Sequence, residues 1–336
     1  MDEPRKILVI QLKRAGDILV TTPVLAALRV LYPSAEIDCL VEKPFTSLLE
    51  NHPALRQIQV YDKSRRISTL RRIRREKYDW ILDFQSSPRS AIVVAFSGAG
   101  LKAGYRVPFW GRVYHRTIKR PGGRQSVIEG KLSLLEAVSG RPVERHERKI
   151  FLTAPERSRA QTWIQEQGFK QAPVGIVPTH RRDSRRWHQE SFAALAQALI
   201  KEGLPVLLFW GPGEKREVDS LQRIVPEARM IPATSLREMA ALLAACRLVV
   251  TNDNGPMHLA VAVGTSTLTL YGPTDPLAWN PGGPRHQAVQ ASDVPCLGCN
   301  LNECPFGHEC MTHISPERLL GLCREMLAVP LQPAPI

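Results

Sequence analysis

The sequence predicts an α/β protein built from two tandem units, each with a parallel sheet covered by helices. Short, β-branched apolar runs such as residues 6–11 recur along the chain, and such runs are typical of strands buried on both faces of a parallel sheet. Segments of helical period separate these runs in both halves, which is the pattern of consecutive βαβ units. A length of 336 residues is sufficient for two domains with separate cores.

The first unit starts with a strand, a turn and a helix. The strand at residues 6–11 leads through residues 12–17 (LKRAGD) into an apolar helix over residues 18–31, which Tyr32-Pro33 ends. The turn lacks the G-x-G-x-x-G pattern of dinucleotide-binding folds, so a nicotinamide or flavin cofactor is disfavoured. Further strands are predicted at residues 36–41, 57–61, 80–84 and 101–105.

The second unit repeats this alternation after a boundary near residue 165. Strands are predicted at residues 174–177, 205–210, 229–231, 248–250 and 267–271, and helices at residues 189–202, 214–224, 236–245 and 258–263. A final helix over residues 316–327 is expected to pack back across the two domains. Ligands of open parallel sheets bind beyond the carboxyl ends of the strands. The loops after residues 178, 210 and 250 are therefore expected to line one cleft between two facing units.

The formal net charge of +13 is confined to the first half of the chain. Residues 1–150 contain 28 Lys and Arg against 15 Asp and Glu, whereas residues 151–336 contain 17 of each class. Two stretches carry much of the excess: residues 63–77, a predicted helix docked by Ile67, Leu70 and Ile73, and residues 106–124, a predicted irregular loop. A positive charge confined to one half of the chain indicates an anionic partner, namely nucleic acid, an anionic membrane surface or a phosphorylated substrate. A merely solvated charged face gives the same pattern.

Seven cysteines are present, and four of them follow the spacing C-x2-C-x4-C-x5-C, at Cys296, Cys299, Cys304 and Cys310. The first residues, MDEPRK, lack the apolar core of a signal peptide, and no run approaches the roughly 18 apolar residues of a membrane span. We therefore expect a cytoplasmic protein without a disulfide framework. Four thiolates could bind a structural zinc or iron ion. Because the spacing is not a standard zinc-finger pattern, a metal-free loop stays open as the alternative.

Residues 251–260 (TNDNGPMHLA) are expected to end a buried strand and to begin a helix. Pro256 suits the first turn, where its missing N–H is not needed, and the free amides of a helix N-terminus bind anions. Asp253 could bind sugar hydroxyls and His258 a phosphate, which together indicate a sugar diphosphate. The alternative is structural: Asp253 or Asn254 caps the helix, and His258 packs in the core.

Two further candidates follow predicted strands. The loop at residues 178–187 contains Arg181, Arg182, Arg185 and Arg186, and guanidinium groups match phosphate oxygens bidentately, unless this loop is only a solvated basic turn. Asp17 could take a proton from an attacking hydroxyl, or it could cap the helix that starts at Ile18. With residues 251–260, these groups predict a displacement at a sugar carbon, with the base in one domain and the leaving-group site in the other.

Four segments together resemble glycosyltransferase family 9, the ADP-heptose:lipopolysaccharide heptosyltransferases. They are residues 7–23 (ILVIQLKRAGDILVTTP), 185–187 (RRW), 251–260 and 271–276 (YGPTDP). The resemblance implies a GT-B fold of two Rossmann-like domains whose parallel sheets face a central cleft. It also implies inverting transfer from ADP-heptose with no metal required. Residues 1–165 would form the acceptor-binding domain, residues 166–315 would bind the nucleotide sugar, and residues 316–336 would form a C-terminal helix and tail packing across both domains.

The resemblance further implies roles for single residues. Asp17 matches the family's proposed catalytic base, and Gly16 is its neighbour at the donor. Arg185 stands where the family has a Lys or Arg that contacts the donor phosphates, and Asp253 matches the aspartate that holds the heptose. Additional donor contacts are implied for Thr179, Asn254, Gly255, Met257 and His258.

The same resemblance supplies a partner for the basic first half. The acceptor would be the phosphorylated lipid A–core at the cytoplasmic face of the inner membrane, and residues 65–75 and 106–124 would hold its anionic surface. Nucleic acid is then not expected as a partner. Two alternatives stay open. One is a related transferase that uses another acceptor, including protein hydroxyls, or another nucleotide sugar, and the other is a first half that binds nucleic acid.

Overall fold

The computed structural model describes residues 3–120 and 125–329. The chain divides into two compact units, residues 1–151 and 152–336. This division precedes the boundary expected near residue 165, because the helix Ala154–Glu166 packs against the helix Leu236–Ala244 of the second unit. Arg237 reinforces that contact by donating from Nη2 to Oε2 of Glu156 at 2.7 Å. Within the described ranges, every helix is too short or too polar to cross a bilayer.

The first unit is a six-stranded sheet with helices packed on it. Its strands are β1 (Lys6–Ile10), β2 (Glu36–Glu42), β3 (Gln57–Tyr61), β4 (Trp80–Asp83), β5 (Leu101–Tyr105) and β6 (Arg116–Ile118). Its helices are α1 (Ala15–Leu19), α2 (Thr22–Leu31), α3 (Arg66–Arg75), α4 (Pro88–Phe96) and α5 (Val127–Ser139), with 3-10 helices at Lys43–Leu49 and Trp110–Val113. All neighbouring strands pair in parallel, in the order β3-β2-β1-β4-β5-β6.

The single helix expected over residues 18–31 is wrong, because α1 and α2 are separate helices. Thr21 Oγ1 donates to the carbonyl of Asp17 at 2.7 Å, and Thr22 Oγ1 donates to the carbonyl of Leu19 at 2.8 Å. Threonine hydroxyls that bind nearby carbonyls offer the backbone an alternative to the helical ladder, and Pro23 lacks an N–H. The sequence TTP therefore ends one helix and starts the next.

Two expectations for the basic stretches are also corrected. Ile67 is 66% exposed, so α3 docks through its buried Thr69 and Ile73 and the partly buried Leu70. Residues 106–120 are not an irregular loop throughout, because they contain the 3-10 helix and β6. Residues 121–124 of that predicted loop lie outside the described residues.

The second unit repeats the architecture. Its strands are β7 (Val174–Val177), β8 (Val206–Leu208), β9 (Arg229–Met230), β10 (Leu248–Asn252), β11 (Ser266–Leu270) and β12 (His286–Val289). Its helices are α6 (Ala154–Glu166), α7 (Gln189–Lys201), α8 (Lys215–Ile224), α9 (Leu236–Ala244), α10 (Gly255–Ala262), α11 (Pro276–Trp279), α12 (Glu309–Thr312) and α13 (Pro316–Ala328), with a 3-10 helix at Asp183–Arg185. The parallel strands lie in the order β12-β11-β10-β7-β8-β9, and β12 was not predicted from the sequence.

Both sheets share one topology, which confirms the predicted α/β fold with two parallel sheets. In each, the strand order reverses beside the unit's first strand, between β1 and β4 in the first unit and between β7 and β10 in the second. Such a reversal leaves a crevice at the carboxyl ends of the two strands, where ligands of open α/β sheets bind. The final helix α13 packs against α7, β10 and β11 of its own unit.

Candidate functional site

The predicted donor residues of the second unit gather at the reversal of its sheet. β7 and β10 are adjacent parallel strands, so the loops that follow them leave the same edge. Thr179 and Arg185 lie in the loop after β7, and Asp253 follows β10 directly. The strand-end position that the sequence predicted for these residues is therefore observed.

Asn252, the last residue of β10, joins the two loops and was not singled out from the sequence. Its side chain is fully buried. Oδ1 accepts from the backbone N–H of Trp187 at 3.0 Å, and Nδ2 donates to the carbonyls of Pro178 at 3.2 Å and Thr179 at 3.4 Å. The sequence did offer a signal for this role, since a polar residue ends an apolar strand. Buried amides almost always have hydrogen-bond partners, so Asn252 was to be expected to bind a neighbouring segment.

Asn254 is the N-cap of α10. Its Oδ1 accepts from the N–H of Met257 at 3.1 Å and from Thr251 Oγ1 at 3.0 Å, while Nδ2 donates to the carbonyl of Thr179 at 3.0 Å. Of the two capping candidates, Asn254 caps the helix, and the carboxylate of Asp253 is left for other partners. The cap fixes the helix N-terminus, whose first-turn N–H groups have no intrahelical acceptors.

The carboxylate of Asp253 pairs with Arg185. Arg185 Nη1 lies 3.5 Å from Asp253 Oδ2, and Asp253 is 8% exposed. Burial raises the pKa of the Asp253 carboxyl, and the nearby positive charges of Arg185 and Arg182 oppose that increase. The pair places one anionic and one cationic group beside the N-terminus of α10.

The four arginines of the loop after β7 have different surroundings. Arg186 is held within the protein, because its guanidinium contacts Asp183 at 2.9 Å, Glu217 at 3.2 Å and the carbonyl of His180 at 2.9 Å. Arg181 is exposed. Arg185 is the arginine whose guanidinium contacts Asp253 directly.

Thr179 brings a further carboxylate to the site. Its Oγ1 donates to Glu214 Oε2 at 2.7 Å, and the N–H of Gly211 donates to the same oxygen at 2.9 Å. Glu214 lies in the loop after β8, the third loop that the sequence placed at this edge, but the residue itself was not predicted. Its signal was weak, because a single Glu after Gly-Pro-Gly reads as an ordinary turn residue.

Gly255, Met257 and His258 differ in their access to a ligand. A Cβ added at Gly255 would meet nothing within 4 Å, so the space beside this first residue of α10 is open. Met257 is fully buried and packs with Val261 and Tyr271. His258 is 5% exposed, and its ring makes an edge contact with Trp279 at a centroid distance of 5.4 Å.

In the first unit, Asp17 lies within α1 and is half-buried, as is Gly16 before it. The helix starts after Arg14, which has φ 68°, and no side chain caps it. The alternative that Asp17 caps a helix beginning at Ile18 is therefore wrong. Burial raises the pKa of the Asp17 carboxyl, and the charges of Lys131 and Arg14 oppose the increase.

Lys131 is a buried lysine whose charge acts on Asp17, and it was not predicted from the sequence. Lys131 of α5 is 3% exposed, its Nζ donates to Gln11 Oε1 at 2.7 Å, and it lies 4.9 Å from the ring centroid of Phe84. Gln11 Nε2 in turn donates to Gln85 Oε1 at 3.0 Å. Burial lowers the pKa of Lys131 to about 8. Its signal was a lone Lys within the apolar helical pattern VIEGKLSLLEAV.

The four clustered cysteines lie in the segment between β12 and α13. All are unpaired thiols: Cys310 is buried, Cys296 and Cys304 are half-buried, and Cys299 is exposed. Burial, together with the three neighbouring thiols, raises the pKa of Cys310 to about 11. Among residues 3–120 and 125–329, no three His, Cys, Asp or Glu side chains are arranged to hold a metal ion.

The two units offer complementary chemistry. The second provides an open helix N-terminus, a guanidinium and two carboxylates, which suit a diphosphate and sugar or ribose hydroxyls. The first provides a half-buried carboxylate beside a buried ammonium, which suits proton abstraction. Such groups fit a displacement reaction that has a diphosphate as the leaving group.

Comparisons with known proteins agree with this chemistry. The model of glycosyltransferase family 9 (heptosyltransferase) matches residues 66–309. Lipopolysaccharide heptosyltransferase 3 of Escherichia coli is 28% identical over 288 residues, which cover 79% of this chain and 83% of that protein. Lipopolysaccharide heptosyltransferase 1 of Pseudomonas aeruginosa is 26% identical, over 97% of this chain and 99% of that protein.

A solved structure shows the same fold. The ADP-heptose lipopolysaccharide heptosyltransferase II of E. coli superposes with a TM-score of 0.80 at 23% identity, covering 96% of this chain and 98% of that one. The match therefore covers residues of both units.

Proposed function

The chain belongs to glycosyltransferase family 9, and from this premise we propose that it is an inverting heptosyltransferase. The donor would be ADP-heptose and the acceptor the phosphorylated lipid A–core of lipopolysaccharide. The observation that carries the proposal is the grouping of Arg185, Asp253 and the open space beside Gly255, the first residue of α10, at the reversal of the second sheet. Lipopolysaccharide heptosyltransferases are also the curated relatives along most of the chain.

In the proposed reaction, the second unit binds the donor. The guanidinium of Arg185 and the first turn of α10 neutralise the diphosphate, and Asp253 accepts hydrogen bonds from the heptose hydroxyls. Glu214, whose carboxylate Thr179 and Gly211 hold, is placed to accept from further hydroxyls of the donor. In this scheme the guanidinium of Arg185 and the N-terminus of α10 neutralise the phosphate charge, so no metal ion is required.

The first unit would supply the base. Asp17, as a carboxylate, takes the proton of an acceptor hydroxyl, and the oxygen attacks the anomeric carbon of the heptose. The new C–O bond forms as the bond to ADP breaks, and ADP leaves with the electron pair. A single displacement of this kind inverts the anomeric configuration.

The experiment is a transfer assay with ADP-heptose and truncated core acceptors, comparing the wild type with Asp17→Ala. We expect transfer to fall by at least about 100-fold, because general-base catalysis contributes factors of this size, while ADP-heptose binding is retained. Asp62→Ala removes a carboxylate that binds Ser64 and serves as the control. Undiminished turnover of Asp17→Ala would sink the base assignment. Transfer to a protein hydroxyl, with no transfer to any core acceptor, would show that the acceptor is a protein and not the lipid A–core.

We also propose that the protein works at the cytoplasmic face of the inner membrane, where its acceptor is anchored. Support comes from neighbouring elements of the first unit, since α4 contacts both α3 and the 3-10 helix Trp110–Val113. These elements expose large apolar side chains among arginines. The apolar side chains are Ile67, Ile92, Phe96 and Phe109, which are 66%, 50%, 58% and 90% exposed. The exposed arginines of these elements are Arg66, Arg71, Arg74, Arg75, Arg89 and Arg112, and the exposed Arg106 precedes the 3-10 helix.

This surface, named here the arginine–apolar face, fits an anionic bilayer. No Asp or Glu occurs between Asp83 and Glu129. A carboxylate from another segment reaches this face at Arg89, whose Nη1 lies 3.8 Å from Glu42 Oε1. Interfacial segments bind lipid through apolar side chains in the acyl boundary and basic side chains at the headgroups. Nucleic acid would use the arginines and would stack bases on exposed phenylalanines, but it offers no comparable partner for the aliphatic Ile67 and Ile92.

A structural zinc or iron ion at Cys296, Cys299, Cys304 and Cys310 remains a proposal. Its support is the C-x2-C-x4-C-x5-C spacing of the four thiols in one loop, since thiolate sets suit both metals. Among the described residues these thiols are not arranged around a metal position, so an ion would have to draw them together. Elemental analysis of protein purified without chelator, combined with thiol titration, tests it. One metal ion per chain with protected thiols is the expected result, and metal-free protein with four reactive thiols would contradict it.

A further inference from the structure

The segment that holds the four cysteines lies against the donor site. This cysteine-rich loop, residues 296–310, is hydrogen-bonded to the chain after β11, because the N–H of Gly298 donates to the carbonyl of Gly272 at 3.1 Å and that of Asn300 to the carbonyl of Pro273 at 2.7 Å. Gly272 is packed closely: a Cβ there would approach Cys310 Sγ to 2.7 Å. The loop is thus fitted to the carboxyl end of β11.

The same loop also reaches the chain after β7. Ser184 is 1% exposed, and its Oγ donates to the carbonyls of Asn302 at 2.9 Å and Leu301 at 3.3 Å. Ser184 immediately precedes Arg185. The cysteine-rich loop therefore fixes the backbone on which the Arg185 side chain stands.

Asn300 then holds that side chain directly. Its Oδ1 accepts from Arg185 Nη2 at 2.7 Å, while Arg185 Nη1 lies 3.5 Å from Asp253 Oδ2. Asn300 has φ 57°, in the left-handed region that Asn tolerates better than most residues. The two terminal nitrogens of one guanidinium are thus directed to two different side chains, and this orients its plane.

We propose that the cysteine-rich loop is a positioning element of the donor site, in which Asn300 orients Arg185 before the donor binds. The proposal rests on the proposed function, since it takes Arg185 to contact the donor diphosphate. A long arginine side chain samples many rotamers, and holding it in one arrangement beforehand reduces what donor binding must order. Asn300 acts through Arg185 and is a positioning residue.

The test compares Asn300→Gly with Asn300→Asp. Glycine removes the side chain without strain at a positive φ, whereas aspartate keeps an acceptor for Arg185. We expect Asn300→Gly to raise the KM for ADP-heptose and the Kd for ADP about tenfold, as for the loss of one charged hydrogen bond, with kcat changed less than about twofold. Asn300→Asp should restore binding. Asn302→Ala, which truncates an exposed side chain of the same loop, is the control.

A double-mutant cycle distinguishes a specific role from loop disorder. If Asn300 acts through Arg185, Asn300→Gly has no further effect on ADP affinity in an Arg185→Ala background. Additive effects, or wild-type ADP affinity in Asn300→Gly, would overturn the positioning role. If Arg185→Ala itself leaves ADP and ADP-heptose affinity unchanged, the proposed donor site fails, which is a different result.

Discussion

Arg185 and Asp253 form an ion pair across the two strand ends of the second sheet, with Nη1 3.5 Å from Oδ2 and both side chains largely buried. The distance is longer than that of a strong charge-assisted hydrogen bond, which is about 2.7–2.9 Å. Each group therefore keeps hydrogen-bonding capacity for a ligand. Both can be fixed by the protein and still contact different parts of one donor.

Single substitutions of Asp253 and Arg185 should show which part of the donor each residue binds. Asp253→Asn should weaken ADP-heptose about tenfold or more and leave ADP nearly unchanged, because the carboxylate is proposed to bind the heptose. Arg185→Ala should weaken both ligands, because the guanidinium is proposed to bind the diphosphate. Calorimetric titration of each variant with each ligand measures the difference. Equal losses of affinity for ADP and ADP-heptose in Asp253→Asn would show that Asp253 does not bind the heptose.

Asn252 should be the most costly polar residue of the site for stability. Asn252→Ala leaves the N–H of Trp187 and the carbonyls of Pro178 and Thr179 without their buried partner, which should lower the free energy of unfolding by about 1–3 kcal/mol. The exposed Asn302→Ala should stay within about 0.5 kcal/mol of the wild type. Urea unfolding compares the two variants. An unchanged free energy of unfolding in Asn252→Ala would mean that other groups take over its hydrogen bonds to the two loops.

Residue patterns predicted the fold well because its signals are local. The apolar run that became β1 and the alternation with helical segments depend on neighbours in sequence, and both sheets were expected. The TTP break between α1 and α2 was also local, but the residue pattern predicted one apolar helix over residues 18–31 that included its threonines. Ile67 had the spacing of a docking residue, yet α3 leaves it in solvent, because periodicity alone does not say how wide the buried stripe is.

The site was predictable only where its residues follow strands. Asp17 follows β1 of the first sheet, whereas Arg185 and Asp253 follow β7 and β10 of the second. Each parallel sheet collects the positions after its strands at its own edge. Asn300 lies 115 residues from Arg185 along the chain, in a loop with no regular period, so no sequence pattern could pair them. Lys131 was missed because the apolar residues around it indicate a helix, whereas the partners of a buried charge come from elsewhere in the fold.

Lys131 should set the pH dependence of the proposed base. Burial raises the pKa of Asp17 and the Lys131 ammonium opposes this increase, as do Arg14, Arg120 and Lys13. Removing the charge in Lys131→Met should let Asp17 keep its proton to higher pH, so activity at low pH is lost first. The pKa of Lys131 is about 8, so the wild-type lysine is itself neutral above that pH and the difference should shrink there.

The measurement is kcat/KM from pH 6 to pH 9. We expect Lys131→Met to be slower than the wild type by about tenfold at pH 6 and by less than about threefold at pH 9, with Lys131→Arg close to the wild type at low pH. Lys6→Met removes a lysine paired with Glu76 at the other end of β1 and should not alter the pH profile. A constant ratio of Lys131→Met to wild type at every pH would show a role in folding alone.

The arginine–apolar face should bind anionic lipid through two separable contributions. Arg71→Glu with Arg75→Glu should abolish most sedimentation with phosphatidylglycerol vesicles at low salt, since each basic residue near such a surface is worth about 1 kcal/mol. Arg216→Glu with Arg223→Glu makes the same charge change on exposed residues of α8 and should have little effect. Comparing the two double variants therefore separates the effect of this face on vesicle binding from the effect of the protein's net charge.

The apolar contribution is tested by Phe109→Ser with Ile67→Ser, which leaves every arginine in place. Both side chains are mostly in solvent, so the fold should tolerate the change, and burial in the acyl boundary is the interaction that is lost. Vesicle binding should weaken several-fold and more visibly at high salt, where screening reduces the arginine contribution. Transfer to a water-soluble truncated acceptor should be unaffected. Unchanged vesicle binding would show that the apolar side chains do not contribute to lipid binding. RNA binding by the wild type that vesicles do not compete would instead identify the face as a nucleic-acid surface.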